Sequence, residues 1–401
     1  MKICNVRLFI FTFATLTNAF HDVLSYDCRL SWRRLKDREK IDATRKLGKT
    51  VVKSTRSSLP PSTVETIVRE YEYDGWKLTY RYRPATKGYE NEPPLFLIHP
   101  VGIGLASWFW DRMMTASSNG PAMIAPNLIG CGISEGSAEW DPDKRGLFVP
   151  LDWVKGCEAL IRHIQENEDF SSPSRKSIDN TPLPAILFKS MWSSFNRDER
   201  KWTVISQGGL APIAVLLAAR NPNLVGNIVM ASPPQWKEMT TPVPEKILAK
   251  NLSFFKGFFG DIAFDVLERR GTISLFSNIF LFSNPCDGVW LDSAEREMGE
   301  QARPPVAVFN AGFTFNKSLE RELLALGQPT LIVQGQDDAR TRDEYCVKMK
   351  KCTIKKLPGK NVIPWEYPSQ FLEVVLGFIS KSEVPQRERL SKESREVSNG
   401  L

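Results

Sequence analysis

Histidine is scarce in this chain, and its absence from the second half limits the chemistry that can be assigned. The 401 residues include three histidines, His21, His99 and His163, and none follows position 163. Cysteine is sparse as well: seven residues at irregular spacing, with no Cys-x-x-Cys pair, predict free or buried thiols and no disulfide framework. We predict neither a metal site nor a cofactor.

A net positive charge is lacking outside the N-terminal segment, although the chain as a whole carries a net charge of +7. Residues 1–58 hold 13 Lys and Arg against 5 Asp and Glu, so the surplus of 8 leaves the remaining chain near −1. A nucleic-acid surface needs positive charge on the folded domain itself. The charge distribution therefore excludes nucleic acid as a predicted partner.

Long hydrophobic runs are absent except near the N-terminus. Residues 8–16 form an apolar run of signal-peptide length, so we predict a signal peptide over residues 1–19. Residues 20–58 are basic and partly resemble the transit segment of a bipartite presequence, which predicts a complex plastid of an alga; ordinary secretion is the alternative. Because no later run is long enough to span a bilayer, we predict no transmembrane segment and a soluble or peripheral mature protein.

The hydrophobic pattern from about Thr63 onward predicts alternating strands and helices. Residues 67–83 alternate apolar and polar positions around Asp74-Gly75, which predicts a β-hairpin. Strands alternating with helices predict an α/β fold with a mostly parallel sheet covered on both faces. The further predicted strands are 95–98, 123–125, 202–205, 228–231 and 330–333, and the predicted helices are 152–165 and 210–220.

Changes in composition along the chain divide it into a core, a cap and a tail. The core is predicted to comprise residues 63–232 and 329–380, with a helical cap at 233–328 between them. Residues 166–200 are polar and predict an inserted loop. Residues 381–401 are charged and lack an apolar face, which predicts disorder.

Five motifs in a fixed order carry a family resemblance. They are LFLIHPVG at 95–102, APNLIGCGIS at 125–134, VISQGGLAPIAV at 204–215, PTLIVQGQDD at 329–338 and LPGKNVIPWEYP at 357–368. Over roughly residues 70–380 this order resembles the α/β-hydrolase superfamily, in particular uncharacterised hydrolase-like proteins of plants, algae and cyanobacteria. The resemblance implies an α/β-hydrolase fold with a helical cap inserted after the sixth strand.

The third motif resembles the strand–turn–helix element that carries the catalytic nucleophile in that superfamily. The resemblance places Ser206 at the turn and assigns the oxyanion hole to the backbone amides of Val101 and Gln207. Val204 stands where a small residue is expected and would crowd the turn. The alternative interpretation is that Ser206 is a relic in an element retained for folding.

The fourth motif supplies the candidate acid. Asp338 stands at the position of the triad carboxylate, and Asp337 would serve if the register shifted by one residue. A buried carboxylate needs a hydrogen-bonding partner, and the usual imidazole is missing. The alternative is a solvated loop pair capped by Arg340 and Arg342.

The fifth motif lacks the catalytic histidine and has Val362 in its place. A serine without an adjacent base is a poor nucleophile. A Ser–Lys pair with Lys360 is one alternative, whereas His163 lies on a predicted helix outside the sheet and cannot substitute. His99 is interpreted as a structural residue at a strand end.

Phenylalanine is concentrated in the predicted cap, with eight residues between positions 254 and 282. Phe254, Phe255, Phe258 and Phe259 recur at helical spacing and predict one aromatic helix face that lines a substrate site for a hydrophobic small molecule. Peripheral membrane contact is a related option. The alternative is that these rings pack the cap against the core.

Two functions remain open on the sequence. The first is a plastid hydrolase-like enzyme that acts on a lipophilic ester through Ser206 and Asp338 in a non-standard triad. The second is a non-catalytic protein of the same fold that binds a ligand or assembles with partners.

Overall fold

The computed structural model describes residues 66–132, 150–166 and 201–382. These residues all belong to one compact unit that begins at Ser62. The predicted signal peptide, the transit-like segment, nearly all of the polar insertion and nearly all of the C-terminal tail lie outside the described residues.

Eight strands form a single sheet. They are β1 Ile67–Tyr73, β2 Trp76–Arg83, β3 Leu95–Ile98, β4 Met123–Pro126, β5 Trp202–Gln207, β6 Val225–Ala231, β7 Thr330–Gly335 and β8 Cys352–Leu357. Their spatial order is β1-β2-β4-β3-β5-β6-β7-β8. β2 runs antiparallel to both neighbours, and the other neighbouring pairs are parallel. The predicted α/β architecture with a mostly parallel sheet is confirmed.

Local sequence accounts for most of these strands. Asp74 (φ 48°) and Gly75 (φ 78°) form the predicted hairpin turn, because both can adopt the left-handed backbone that such turns require. The predicted inner strands are all present, and most are longer by one to three residues. β8 was missed because this edge strand alternates half-buried with exposed positions, and includes Lys355 and Lys356, instead of forming a continuous apolar run.

Two hydrophobic clusters fill the two faces of the sheet. On one face, side chains such as Val204 and Ile228 pack with the helices Leu151–Glu166 and Ala211–Arg220. On the other face, Ile205 and Val333 pack with a tryptophan-rich segment that follows β3 and with the C-terminal helices. Those elements are the helices Asp111–Met114, Ile363–Glu366 and 368–382 and the 3-10 turn Ser107–Trp110.

A helical cap occupies the connection between β6 and β7, as predicted. Its helices are Trp236–Thr240, Glu245–Phe255, Phe258–Leu267, Arg270–Phe276, Gly288–Arg296, Arg303–Ala311 and Glu320–Ala325. The last helix before β8 is Asp343–Lys348. None of the helices in the described ranges has the length and apolar composition needed to cross a membrane.

Candidate functional site

The turn between β5 and the following helix is centred on Gly208. β5 ends at Gln207, Gly208 has a left-handed backbone (φ 59°), and a 3-10 turn then leads into the helix Ala211–Arg220. Ser206 lies within β5, fully buried and opposite Ile98 of β3. The strand therefore continues through Ser206, and the chain reverses two residues later at the glycine. The catalytic assignment of Ser206 stays a prediction.

Open space adjoins the turn residue. A Cβ atom built on Gly208 would meet no heavy atom within 4 Å. A Cβ atom on Gly209 would instead overlap the ring of Phe309 from the cap helix Arg303–Ala311. Phe309 thus covers Gly209, while Gly208 faces a gap beside it. Phe309 was not predicted, because nothing in the sequence around it indicates which cap residue reaches the sheet.

Unpaired buried polar atoms lie near the carboxyl ends of β5, β6 and β7. The hydroxyls of Ser206 and Ser232 and the side-chain oxygen of Gln334 are buried and have no hydrogen-bond partner within the described residues. The pairing of Ala231 with Val333 places Ser232 beside Gln334 at the carboxyl edge of β6 and β7. The Ser206 hydroxyl consequently has no base to accept its proton in the described part of the chain.

The loop after β8 meets the turn through Asn361. The side-chain amide of Gln207 donates to the Asn361 carbonyl (2.9 Å) and to its side-chain oxygen (3.2 Å). Val362 is buried in the hydrophobic cluster of the opposite face and donates its backbone N–H to Leu281 (3.3 Å). Asn361 is therefore the residue through which this loop bonds to Gln207. The assignment of Val362 to the histidine position stays a prediction.

The two predicted oxyanion-hole residues lie in different elements, Gln207 at the end of β5 and Val101 in the loop after β3. Gln207 is the last residue of β5, so the amide that follows the turn residue belongs to Gly209 instead. Val101 is buried in the loop that follows β3, the strand that pairs with β5. The oxyanion-hole roles of Gln207 and Val101 both stay predictions.

Asp338 is held by two arginines. Its carboxylate accepts bonds from Arg340 (3.0 and 3.1 Å) and from Arg342 (2.8 Å). The fully buried Arg342 also donates to the carbonyl of Pro233, at the end of β6, over 2.5 Å. Burial alone would raise the pKa of Asp338, but the hydrogen bonds and charges of both arginines outweigh it and hold the pKa below its ordinary value. The predicted triad acid therefore lies in an ion pair of the loop after β7, and the bond from Arg342 to Pro233 connects this loop to the one after β6.

The two alternative catalytic groups bind the cap and not the turn. Asp337 accepts a hydrogen bond from the Ser283 hydroxyl (2.6 Å). The Lys360 ammonium group donates to the carbonyl of Ile279. A Ser206–Lys360 pair is accordingly not formed.

No protein-family model matches this chain, and no curated protein matches it. Solved structures do. A loop variant of haloalkane dehalogenase DbeA from Bradyrhizobium elkanii is 16% identical with a TM-score of 0.55, and the match covers 80% of this chain and 99% of the other. The serine hydrolase CarC, involved in carbazole degradation, is 14% identical with a TM-score of 0.51 over 79% of this chain and 99% of the other. This chain has the α/β-hydrolase fold.

In hydrolases with the α/β-hydrolase fold, the nucleophile lies at a strand-to-helix turn of this kind. Gly208 supplies no side chain there. Asn361 occupies the loop that reaches the turn, and Asp338 is bound to arginine. The described residues thus place a glycine at the turn, Asn361 bonded to Gln207 beside it, and Asp338 in an ion pair with two arginines.

His99 has the structural role predicted for it in this α/β-hydrolase fold. One ring nitrogen lies 2.8 Å from the Pro100 carbonyl, and the other accepts the backbone N–H of Leu128 (3.2 Å). Full burial lowers the pKa of His99 to about 4, so the ring is neutral at physiological pH. His163 lies beside the ring of Tyr71 in β1, away from the turn.

The buried ring of His99 predicts a pH-dependent stability. In the unfolded chain the histidine pKa returns to about 6.5, so between that pH and about 4 the unfolded state binds more protons than the folded state. The free energy of unfolding should fall as pH is lowered through this window. Urea unfolding at several pH values tests this: His99→Asn should flatten the slope. An unchanged slope in that variant would contradict the assignment.

The phenylalanines of the cap do not form the predicted aromatic face. The helix ends at Phe255 and a new one begins at Phe258, so the four side chains diverge. Phe255 is buried against Phe264, whereas Phe258 and Phe259 are 73% and 70% exposed. The break at Lys256-Gly257 was not apparent in the sequence pattern. Phe254, with 38% exposure, lies on the surface as well.

Proposed function

We propose that this protein is a non-catalytic member of the α/β-hydrolase fold that binds a lipophilic small molecule between the β5 turn and the cap. The observation that carries the proposal is Gly208 at the turn, where a hydrolase needs a reactive side chain. The hydrolase-like alternative relies on Ser206, whose hydroxyl is buried in the strand and has no base within the described residues.

The surroundings of the turn support a ligand with an apolar body and a polar end. Phe309 covers Gly209, and the position beside Gly208 where a side chain would begin is open. The unpaired polar atoms of Ser206, Ser232 and Gln334 lie buried in the edge of the sheet beneath. Buried polar atoms favour a hydrogen-bonding partner, whereas the ring of Phe309 favours apolar contact.

Binding and turnover can be separated with one probe, p-nitrophenyl octanoate. We expect equilibrium dialysis to detect binding of the ester. We also expect the ester to be recovered intact afterwards, which would show that the protein does not hydrolyse it. Gly208→Phe should fill the gap and weaken binding by at least about tenfold, about 1.4 kcal/mol. Gly88→Phe is the matched control, since Gly88 also has positive φ and open space around it but lies in the loop before β3. Equal binding by the two variants would contradict a ligand site beside Gly208.

Labelling with a fluorophosphonate tests the absence of serine catalysis. We expect no adduct on the folded protein by intact mass, because the Ser206 hydroxyl lacks a base and direct access. Ser206→Ala is the control. An adduct on the native protein that disappears in this variant would favour the hydrolase-like alternative.

We further propose that the cap touches a membrane surface. Of the thirteen large apolar side chains that are exposed in the described residues, nine lie between Ile247 and Val289, and an apolar concentration of this kind marks an interaction surface. Phe258 and Phe259 protrude together where two helices meet. Exposed lysines at 246 and 250 precede them on the helix Glu245–Phe255, and interleaved lysine and apolar residues suit an anionic bilayer.

Vesicle co-sedimentation tests this contact. The native protein should bind vesicles of phosphatidylcholine with phosphatidylglycerol more strongly than pure phosphatidylcholine, and less strongly at high salt. Phe258→Ser with Phe259→Ser should reduce binding severalfold. Val68→Ser with Val347→Ser is the matched control, since both side chains are exposed outside the cap. Unchanged vesicle binding by the Phe258→Ser, Phe259→Ser variant would contradict the proposal. So would a native dimer that this variant converts to a monomer, because the two rings would then form a protein interface.

Plastid import remains our proposal for the N-terminal segment, supported by the signal-like run over residues 8–16 and the basic residues after it. Residues 1–60 fused to a fluorescent protein should direct the fusion to the plastid in an alga with complex plastids. Secretion of that fusion into the medium would contradict plastid import and favour the alternative.

A further inference from the structure

Two thiols lie side by side at the edge of the sheet, far along the chain from the β5 turn. The sulfur atoms of Cys346 and Cys352 are 3.2 Å apart. Cys346 belongs to the helix Asp343–Lys348, and Cys352 is the first residue of β8, opposite Thr330 of β7. A disulfide bond is about 2.0 Å long, so a small side-chain movement would join them.

The two thiols differ in accessibility, as an attacking and a resolving thiol do. Cys346 is exposed to solvent and Cys352 is half-buried. Burial, with the hydrogen bond to Cys346 as a second cause, raises the pKa of the Cys352 thiol well above its usual range. Cys346 is therefore the thiol that an external reagent meets first.

The other described cysteines lack such a partner. Cys131 and Cys157 are buried, and burial raises the pKa of each thiol far above its usual range. Cys286 is half-buried, and its sulfur contacts the carbonyl and hydroxyl of Ser274. Within the described residues, Cys346 and Cys352 are thus the one pair of thiols in contact.

We propose that Cys346 and Cys352 are a reversible thiol–disulfide modification site whose oxidation links the helix Asp343–Lys348 to β8. The oxidant is a small-molecule disulfide of the glutathione class. Because β8 is an edge strand that pairs only with β7 in the sheet described here, the link fixes its half-buried first residue to the preceding helix.

The reaction proceeds by two exchanges. The Cys346 thiolate attacks one sulfur of the external disulfide, whose S–S bond breaks and releases one thiolate that takes up a proton. The Cys352 thiol then loses its proton, and its thiolate attacks the Cys346 sulfur and expels the second external thiolate, which is also protonated. Two protein thiols are oxidised, and one external disulfide is reduced to two thiols.

Peptide mapping of the full chain after equilibration with oxidised glutathione tests the site. Trypsin separates residues 343–348 from residues 352–355, so these two peptides stay together only when the disulfide has formed. We expect the linked pair, lost after dithiothreitol, and a slower second step at neutral pH than at alkaline pH because the pKa of Cys352 is raised. The melting temperature of the oxidised protein should rise by roughly 3–6 °C, since the linked loop is short.

Variants separate this link from other thiol chemistry. Cys286→Ser should keep the linked peptides, and Cys346→Ser or Cys352→Ser should abolish them. Free alkylation of both thiols after equilibration would overturn the proposal. So would a stable glutathione adduct on Cys346 without a link, or a disulfide-bonded dimer on a non-reducing gel that Cys346→Ser removes.

Discussion

Replacing Arg342 by methionine is expected to lower the free energy of unfolding by about 3–5 kcal/mol, the range for breaking a buried ion pair from one side. The Arg342 guanidinium is fully buried and bonds the Asp338 carboxylate, the Pro233 carbonyl and the Arg340 carbonyl. Methionine fills part of the volume but leaves these three acceptors without that donor. Guanidinium chloride unfolding of the purified protein measures the change.

The same substitution at Arg340 is the matched control. Arg340 binds the same carboxylate, but its side chain is 39% exposed, whereas that of Asp338 is 6% exposed. Exposed ion pairs contribute about 0–1 kcal/mol, so Arg340→Met should cost far less. Adding Asp338→Asn to Arg342→Met should recover part of the loss, because the buried group that has lost its buried partner then carries no charge. Similar losses of unfolding free energy in the Arg340 and Arg342 variants would show that the burial of Arg342 does not set the contribution of this ion pair to stability.

Gly335→Ala is expected to destabilise the protein by about 2–3 kcal/mol and to displace the loop that carries Asn361. A Cβ atom on Gly335 would overlap the backbone carbonyl oxygens of Gly359 and Lys360. Because these atoms belong to the backbone, no side-chain rotation relieves the overlap. The hydrogen bonds from Gln207 to Asn361 should weaken with it, which chemical unfolding and amide hydrogen exchange at β5 and the 357–362 loop would both report.

Gly327→Ala supplies the comparison for this variant. Gly327 lies just before β7, and a Cβ atom there would meet nothing within 4 Å. Its replacement should leave stability unchanged within about 0.5 kcal/mol. A loss at Gly335 no greater than that at Gly327 would mean that the loop moves freely and does not fix Asn361 near the turn.

The catalytic interpretation of Ser206 shows where sequence reasoning reached its limit. The motif VISQGGLAPIAV correctly placed a strand, a sharp turn and a helix, because an apolar run, two glycines and a helical pattern are local signals. Which residue stands at the turn depends on where β5 stops pairing with β3 and β6, and the pairing continues to Gln207. The structure therefore has a glycine at the turn, two residues beyond Ser206, and our proposal of a binding function relies on this difference.

The sequence alone determined the sheet, the order of its inner strands along the chain, the position of the cap and the structural role of His99. These features follow from apolar runs, turn residues and helical spacing, which act over a few neighbouring residues. Tertiary structure alone decided that Gly208 forms the turn, that Arg342 binds Asp338, that Asn361 meets Gln207 and that Phe258 and Phe259 face solvent. Each of these depends on contacts between segments distant in the chain, and hydrophobic periodicity does not specify which side chains of two such segments meet.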